Sequence, residues 1–331
     1  MFTRVLAIQC IEMFSHPTTP VGEALEKRTS NMFHVKHGKK MTEQPPLAAE
    51  IVTNQQRLKK IEATELTHPS SPRIFAVTNQ KGGVGKTTSA VNIAAALASK
   101  GMRVLVVDLD PQGNASTALG VDHHGDVEGT YEAIIGAKPL KDLVKVSTFS
   151  ENLLCLPATL NLAGAEIEMV SIPSREFLLK NALTEFFTQS EQGIDYVFID
   201  SPPSLGLLTI NAFVAADDVL LPIQCEYYAL EGLSQLMNNI QRIKQHLNPD
   251  LELSTILLTM HDGRTNLSNQ VVEEVRKHFP QQTLSAIIPR SVRISEAPSY
   301  SQTIISYDPQ SSGSIAYLEA ALEIAAKGKN S

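Results

Sequence analysis

The ten residues NQKGGVGKTT (79–88) constrain the fold of this chain more than any other stretch. They follow an apolar run, RIFAVT (73–78), and precede an alanine-rich segment with helical spacing. Glycines at three positions allow a tight turn whose N–H groups converge on one anion, and the following helix adds its dipole. Such a loop after a strand is no chance turn. It predicts a phosphate-binding site formed by Gly82, Gly83, Val84, Gly85, Lys86, Thr87 and Thr88, in which Lys86 supplies charge and the Thr87 hydroxyl binds Mg²⁺.

Short runs rich in Val, Ile and Leu alternate with helical segments from Arg73 onward. The runs are 73–78, 103–110, 153–158, 195–200, 218–223, 252–259 and 283–289. Near-continuous apolar runs are typical of strands buried on both faces. The alternation predicts a single α/β domain over 73–331. Its fold would be a doubly wound, mostly parallel sheet of about seven or eight strands, with helices on both faces.

Residues 1–72 differ in composition, being rich in Pro, Thr, Ser and charge. A helix is predicted over roughly 47–62, although its apolar stripe is too narrow for it to fold alone. We therefore expect a disordered or partly helical extension. Met13, Met32 and Met41 are alternative start positions to Met1.

Acidic residues end two of the predicted strands. Asp108 and Asp110 lie in DLDPQGN, and Asp200 ends DYVFID before SPPSLG. The carboxyl ends of parallel strands form the ligand-binding edge of such a sheet. An aspartate there can bind a metal-bound water or orient an attacking water. A helix cap or turn is the alternative for each acid, but three of them around one phosphate loop favour a Mg²⁺ site with Thr87, Asp110 and Asp200.

Lys81 precedes the paired glycines, where an ordinary phosphate loop needs no lysine. The two-lysine form KGGVGKTT resembles the deviant Walker A motif of the ParA/MinD superfamily. The resemblance implies ATP and Mg²⁺ as cofactors, and a nucleotide-sandwich homodimer in which Lys81 reaches the partner's phosphates. It also implies that Asp110 is needed for hydrolysis, so that Lys81, Lys86 and Asp110 are the catalytic residues. A solvated loop lysine is the alternative for Lys81.

Two C-terminal segments, 258–280 and 287–304, resemble the chromosome-partitioning ParA/Soj ATPases, and this resemblance covers roughly 73–328. It implies that Arg264 and Arg293 bind DNA without sequence preference, with Arg276 or Lys277 assisting. It also implies that Pro289 and Arg290 lie near the nucleotide base. The alternative for Arg290 or Arg293 is an ion pair with Glu296 or another neighbour.

Two residues depart from the family pattern. Many relatives have asparagine where this chain has Ser291, and glycine where it has Ser301. These two departures concern the residues expected near the nucleotide base.

Composition excludes several other classes of protein. The net charge of −7 does not suit a general polycation, so DNA contact requires a local patch. Three scattered cysteines form neither a disulfide framework nor a metal or iron–sulfur pattern. The N-terminal VLAIQCIEMF is too short and too polar for a membrane span. The C-terminal SGSIAYLEAALEIAAKGKNS is rich in alanine and acidic at two positions, which favours a packed helix over a membrane-binding one.

The sequence predicts a cytoplasmic, nucleoid-associated ATPase with weak intrinsic turnover that partitions chromosomes or plasmids. As the resemblance implies, its ATP dimer binds non-specific double-stranded DNA, and a centromere-bound ParB-type partner stimulates hydrolysis and releases it. The alternative is a MinD-like membrane-associated positioning ATPase, and an ATP-binding scaffold without turnover is a third possibility.

The peptide MFHVKH (32–37) adds a hypothesis about the gene. It can be encoded by ATG TTT CAC GTG AAA CAT, which equals its own reverse complement and contains the core of the parS centromere that ParB proteins of this family recognise. We interpret these residues as the translation of a DNA site. Two histidines alone make a poor metal site.

Overall fold

The computed structural model describes residues 47–189, 193–226 and 233–328. MFHVKH, Cys10 and the alternative start methionines lie outside these ranges. The strands are β1 Arg73–Val77, β2 Val104–Asp108, β3 Lys145–Ser147, β4 Ser150–Leu156, β5 Tyr196–Asp200, β6 Asp218–Gln224, β7 Glu252–His261 and β8 Thr283–Pro289.

The α-helices connect these strands. They are α1 Leu47–Glu62, α2 Lys86–Ser99, α3 Asn114–Ala118, α4 Thr130–Ile134, α5 Leu140–Leu143, α6 Leu162–Met169, α7 Leu178–Gln189, α8 Leu207–Ala215, α9 Leu233–His246, α10 Asn266–His278, α11 Val292–Glu296, α12 Ile304–Tyr307 and α13 Ser312–Lys327. Two short 3₁₀ helices, Arg175–Phe177 and Ala297–Tyr300, complete the described elements.

The strands form one eight-stranded sheet in the order β3-β4-β2-β5-β1-β6-β7-β8. All neighbours run parallel except the β3–β4 hairpin. The predicted sheet is confirmed, and β3 is the strand that the apolar runs do not reveal. It is three residues long and its Val146 is exposed, so it carries no apolar signal.

Helices cover both faces of the sheet, as predicted. Side chains alternate along each strand, so that Phe75 packs with the α2/α13 layer and Ala76 packs with the α7/α8/α9 layer. The α2/α13 layer is dense because alanines let those two helices lie close to the sheet. This packing fixes the carboxyl edge of the sheet, which carries the phosphate loop.

Helix α1 has the predicted bounds. Its apolar stripe is too narrow for the helix to fold alone, and it packs against the rest of the domain. Arg57 forms two hydrogen bonds with the Glu319 carboxylate, at 2.8 Å and 2.7 Å. Lys100 Nζ donates to the carbonyls of Ile61 and Glu62 at the end of α1, and Ile61 is buried. Within the described part of the extension, residues 47–62 are helical and residues 63–72 have no helix or strand. The division at residue 73 stays a prediction.

Candidate nucleotide-binding site

The phosphate loop connects the end of β1 to the start of α2. Gly83 and Gly85 have φ values of +73° and +90°, a region that residues with a Cβ rarely adopt, which explains the glycines. No side chain caps the N-terminus of α2, so its first N–H groups have no side-chain acceptor. The Asn79 side chain fixes the entry to the loop by accepting from the Lys81 N–H and donating to the Pro222 carbonyl. The loop is therefore suited to an anion.

Lys86 is the buried cation of the site, with 8% of its surface exposed. Burial lowers the pKa of its ammonium, and the nearby charges of Asp200 and Asp110 oppose that effect. Within the part of the chain that the structure describes, its Nζ has one weak acceptor, the Lys81 carbonyl at 3.5 Å. A buried ammonium with so few partners gains most from a charged ligand such as a phosphate.

Asp108 and Asp200 are direct neighbours in the sheet, at paired positions of β2 and β5. Both are fully buried, and burial is the main cause that raises both pKa values, that of Asp108 to about 6. Repulsion from Asp110 adds to the shift of Asp108, and repulsion from Asp108 adds to that of Asp200. They differ in their partners. Asp108 Oδ2 accepts from the Ser116 N–H at 2.8 Å and the Ser116 hydroxyl at 2.7 Å. Asp108 therefore holds α3 in place.

Among the described residues, no donor lies in hydrogen-bond geometry with either carboxylate oxygen of Asp200. The nearby Thr87 hydroxyl lowers the pKa of Asp200, but burial and Asp108 outweigh it. A buried carboxylate without partners, beside a threonine hydroxyl and a phosphate loop, fits Mg²⁺. The described residues contain no cluster of three His, Cys, Asp or Glu side chains that could hold a metal. The donor set thus fits an ion that keeps most of its water and phosphate ligands.

Asp110 lies just beyond Asp108 and is partly exposed. Its backbone N–H donates to Asp108 Oδ1 at 3.3 Å, and its own Oδ1 accepts from the Gln112 N–H at 3.1 Å. It is near enough to Lys86 to raise the pKa of that lysine. The structure thus brings together Lys86, Asp110 and Asp200, as the sequence predicts; their catalytic roles stay predictions.

Glu226, which the sequence reasoning did not select, connects the rim of the site. Its carboxylate lies 3.4 Å from Lys81 Nζ and 3.7 Å from the Arg290 guanidinium, and it accepts from Gln224 at 2.6 Å. Lys81, Arg290 and Glu226 are all substantially exposed, so these pairs are weak and exchangeable. An acid following β6 at the carboxyl edge was the signal available in the sequence.

Arg264 and Arg293 follow β7 and β8 at that same edge and are exposed. The Arg264 guanidinium makes two 2.8 Å hydrogen bonds with Asp262 and lowers the pKa of that carboxyl to about 2. Arg293 lies 3.8 Å from Asp308 and 5.9 Å from the Tyr307 ring centre. Glu296 is therefore not its ion-pair partner. The two arginines stay predicted DNA contacts.

Ser301 adopts a left-handed conformation, with φ of +53°. That conformation suits glycine, the residue that the family resemblance leads us to expect at this position. Ser291 precedes α11 in extended conformation and makes no capping hydrogen bond through its side chain.

Together these features define a nucleotide-binding protein of the P-loop class with a Mg²⁺ site. A family model described as an AAA domain matches residues 72–253. The chain is 53% identical over 256 residues to the sporulation initiation inhibitor protein Soj of Bacillus subtilis (strain 168), covering 77% of this chain and 99% of that protein. It is 51% identical over 252 residues to the chromosome partitioning protein ParA of Myxococcus xanthus (strain DK1622), covering 76% and 87%.

A structure of cobyrinic acid a,c-diamide synthase from Mycobacterium smegmatis, with bound ATP analogue and magnesium, is also similar. Its TM-score is 0.66 at 38% identity, over 76% of this chain and 94% of that one. The sequence identity to Soj and ParA, over most of the length of each, shows which family the chain belongs to. This chain belongs to the ParA/Soj family of chromosome-partitioning ATPases.

None of the described helices is both long and apolar enough to cross a membrane. Cys155 and Cys225 are buried free thiols.

Proposed function

We propose that this protein is a partitioning ATPase whose ATP-bound dimer binds DNA and releases it after hydrolysis. The cofactors are ATP and Mg²⁺, as the ATP analogue and magnesium in the similar mycobacterial structure support. The observation that carries the proposal is the pair of lysines in one loop. Lys86 is buried near the acids, whereas Lys81 is exposed and its ammonium pairs with Glu226 alone among the described residues.

The residues divide the work between binding and switching. Lys86 and the loop N–H groups bind the phosphates, while Thr87 and Asp200 hold Mg²⁺, which offsets phosphate charge when bound. Asp110 orients the attacking water. Lys81 exchanges Glu226 for the phosphates of the second subunit, where another cation stabilises the charge of phosphoryl transfer. No histidine or glutamate stands at a motif position of the described site as a strong general base, which fits slow intrinsic hydrolysis that a ParB-type partner accelerates.

The dimer places two copies of Arg264 and Arg293 on one surface. In the single chain, Arg264 pairs with Asp262 and Arg293 pairs with Asp308. DNA phosphates would replace these carboxylates. Doubling a modest basic patch makes DNA binding depend on nucleotide state, which the cycle requires.

A MinD-like membrane switch is the second candidate. The apolar face of α13 is buried against α2 and β8, through residues such as Ile315, Tyr317 and Ile324. A helix packed in this way has no free apolar face for a bilayer. This observation favours DNA over a membrane as the surface that the dimer binds.

Co-sedimentation with non-specific duplex DNA tests the proposal. The full chain is compared in Mg²⁺-ATP and Mg²⁺-ADP, beside Arg293→Glu and Gly82→Val variants. A Cβ at Gly82 meets no atom within 4 Å in the single chain, so Gly82→Val should fold and bind nucleotide but block close approach of two subunits. We expect sedimentation only with ATP, and its loss in both variants. Binding to anionic liposomes in place of DNA would instead support the MinD-like function.

A further inference from the structure

Helix α6 is apolar on both of its sides, although it lies at the surface. Its inward side chains Leu162, Ala165 and Met169 are completely buried in the core. On the other side, Leu160, Ile167 and Val170 are 78%, 80% and 62% exposed. An exposed apolar face on a surface helix is typical of a site that a partner covers.

The exposed residues form one line along the helix. Ala163 and Ile167 lie in α6, and Leu160 and Val170 lie in the turns just before and after it. These four residues are spaced by three or four positions, which places them along one face, and we call this set the α6 stripe. Gly164 beside it lets another chain approach closely. The two acids within the segment keep their charge, but their carboxylates bind partners on other elements and lie off the stripe. Glu166 accepts from the Leu208 N–H at 3.1 Å, and Glu168 accepts from the Tyr131 hydroxyl at 2.9 Å.

The stripe adjoins the nucleotide site through the loop that connects β4 to α6. The Thr130 hydroxyl donates to the carbonyls of Asp108, at 2.8 Å, and Pro157, at 3.1 Å, so this loop is fastened beside the end of β2. Ala158 donates to the same Ser116 hydroxyl that binds Asp108. Leu160 therefore begins the stripe at the carboxyl edge of the sheet.

The other side of α6 touches the loop that follows Asp200. Glu166 accepts from the N–H of Leu208 at the start of α8, and a Cβ at Gly206 would overlap the Glu166 carboxylate. Helix α6 thus lies between the loops that follow Asp108 and Asp200. A second chain that covers the stripe would therefore contact α6, whose position depends on the loops that follow Asp108 and Asp200.

We propose that the α6 stripe is an apolar contact of the ATP dimer, covered by a second copy of this chain. The inference rests on the proposed function, in which Lys81 reaches a second copy across this same edge. Two copies that each carry a net charge of −7 repel one another, so a dimer requires uncharged apolar contact near its centre. The stripe supplies such a contact at the edge that Lys81 must cross.

Sedimentation velocity over a concentration series tests this inference. The full chain is measured with Mg²⁺ and a non-hydrolysable ATP analogue, beside Ile167→Asp and Val170→Asp. Val146→Asp is the matched control, because Val146 is an exposed valine on β3, away from the stripe. Affinity for a fluorescent ATP analogue and the melting temperature verify that each variant keeps its site and fold.

We expect each stripe variant to weaken dimerisation by about tenfold or more, while nucleotide affinity and the control remain within about twofold of the parent chain. Dimerisation of the stripe variants equal to that of Val146→Asp overturns the inference and leaves the proposed function intact. Unimpaired dimers that no longer respond to a ParB-type partner would assign the stripe to that partner and also overturn it. A parent chain that stays monomeric with the analogue contradicts the proposed dimer itself.

Discussion

The buried floor of the nucleotide site and its exposed rim satisfy their charges in opposite ways. On the floor, Lys86 and Asp200 are withdrawn from water and, among the described residues, have few hydrogen-bond partners. Burial lowers the pKa of Lys86 and raises that of Asp200, and the attraction between the two charges only partly opposes these shifts. On the rim, Lys81 and Arg290 share Glu226 while remaining exposed. The floor is a preformed binding site whose buried charges cost folding free energy. The rim is a set of weak ion pairs that can exchange for other charged partners.

This difference indicates which part binds and which part switches. A buried charge without a partner gains a large free energy from a ligand, since desolvation has already occurred in the folded chain. An exposed ion pair contributes little and is replaced at little cost. Nucleotide affinity should therefore depend on the floor, and the response to nucleotide should depend on the rim.

Replacing the two lysines separately should give the largest contrast. Lys86→Ala is expected to weaken ATP binding by about 100-fold, because it removes a buried charge that contacts phosphate. Lys81→Ala should keep ATP affinity within about threefold of the parent chain but abolish ATP-dependent dimerisation. Fluorescent-nucleotide titration and sedimentation velocity measure the two effects. Equal losses of affinity in both variants would break the division between floor and rim.

Asp200→Asn should stabilise the ligand-free protein by about 2 kcal/mol at pH 8 while removing the Mg²⁺ dependence of ATP binding. The folded-state pKa of Asp200 is raised, so the parent chain loses stability as pH rises from the ordinary carboxyl pKa of about 4 through that raised value. The gain from asparagine should therefore shrink toward pH 5. Thermal melts at pH 5 and pH 8 measure it, with Asp250→Asn, an exposed acid, as control. A variant less stable at pH 8 would contradict the account.

Glu226→Gln should release Lys81 and Arg290 and tighten ATP-dependent dimerisation by about two- to fivefold, in proportion to a weak exposed pair. Glu252→Gln, which removes another exposed acid paired at 3.9 Å with Lys244, is the control. Dimerisation is again followed by sedimentation velocity with the ATP analogue. Weaker dimerisation in Glu226→Gln would mean that this carboxylate contributes to the assembled dimer rather than restraining the single chain.

Asp262→Asn should have the smallest effect, increasing the affinity of the ATP dimer for duplex DNA by about threefold at low salt. The substitution removes the carboxylate that pairs with Arg264 and leaves that guanidinium free for phosphate. Fluorescence anisotropy with a random-sequence duplex measures the change. No difference from the parent chain would indicate that Arg264 does not face DNA.

Much of the fold was accessible to sequence reasoning because its signals are local. Seven of the strands are apolar runs, and the phosphate loop is continuous in the chain, so residue order alone specifies the β1–α2 unit with Lys86 and Thr87. Asp108 and Asp200 were recognisable from their positions at strand ends. Strand β3 was not, since three residues with an exposed valine show no apolar period.

The sequence by itself determined the class of fold, the phosphate loop and the identity of the charged residues around it. Tertiary structure decided how those charges are paired. Glu226 meets Lys81 from 145 positions away. Ser116 and the Asp110 N–H donate to the Asp108 carboxylate, whereas the Asp200 carboxylate has no hydrogen-bond donor among the described residues. It also left one face of α6 exposed, which its apolar sequence would have placed inside. Local pattern specifies strands and turns, but partners and exposure depend on which distant segments the sheet brings together.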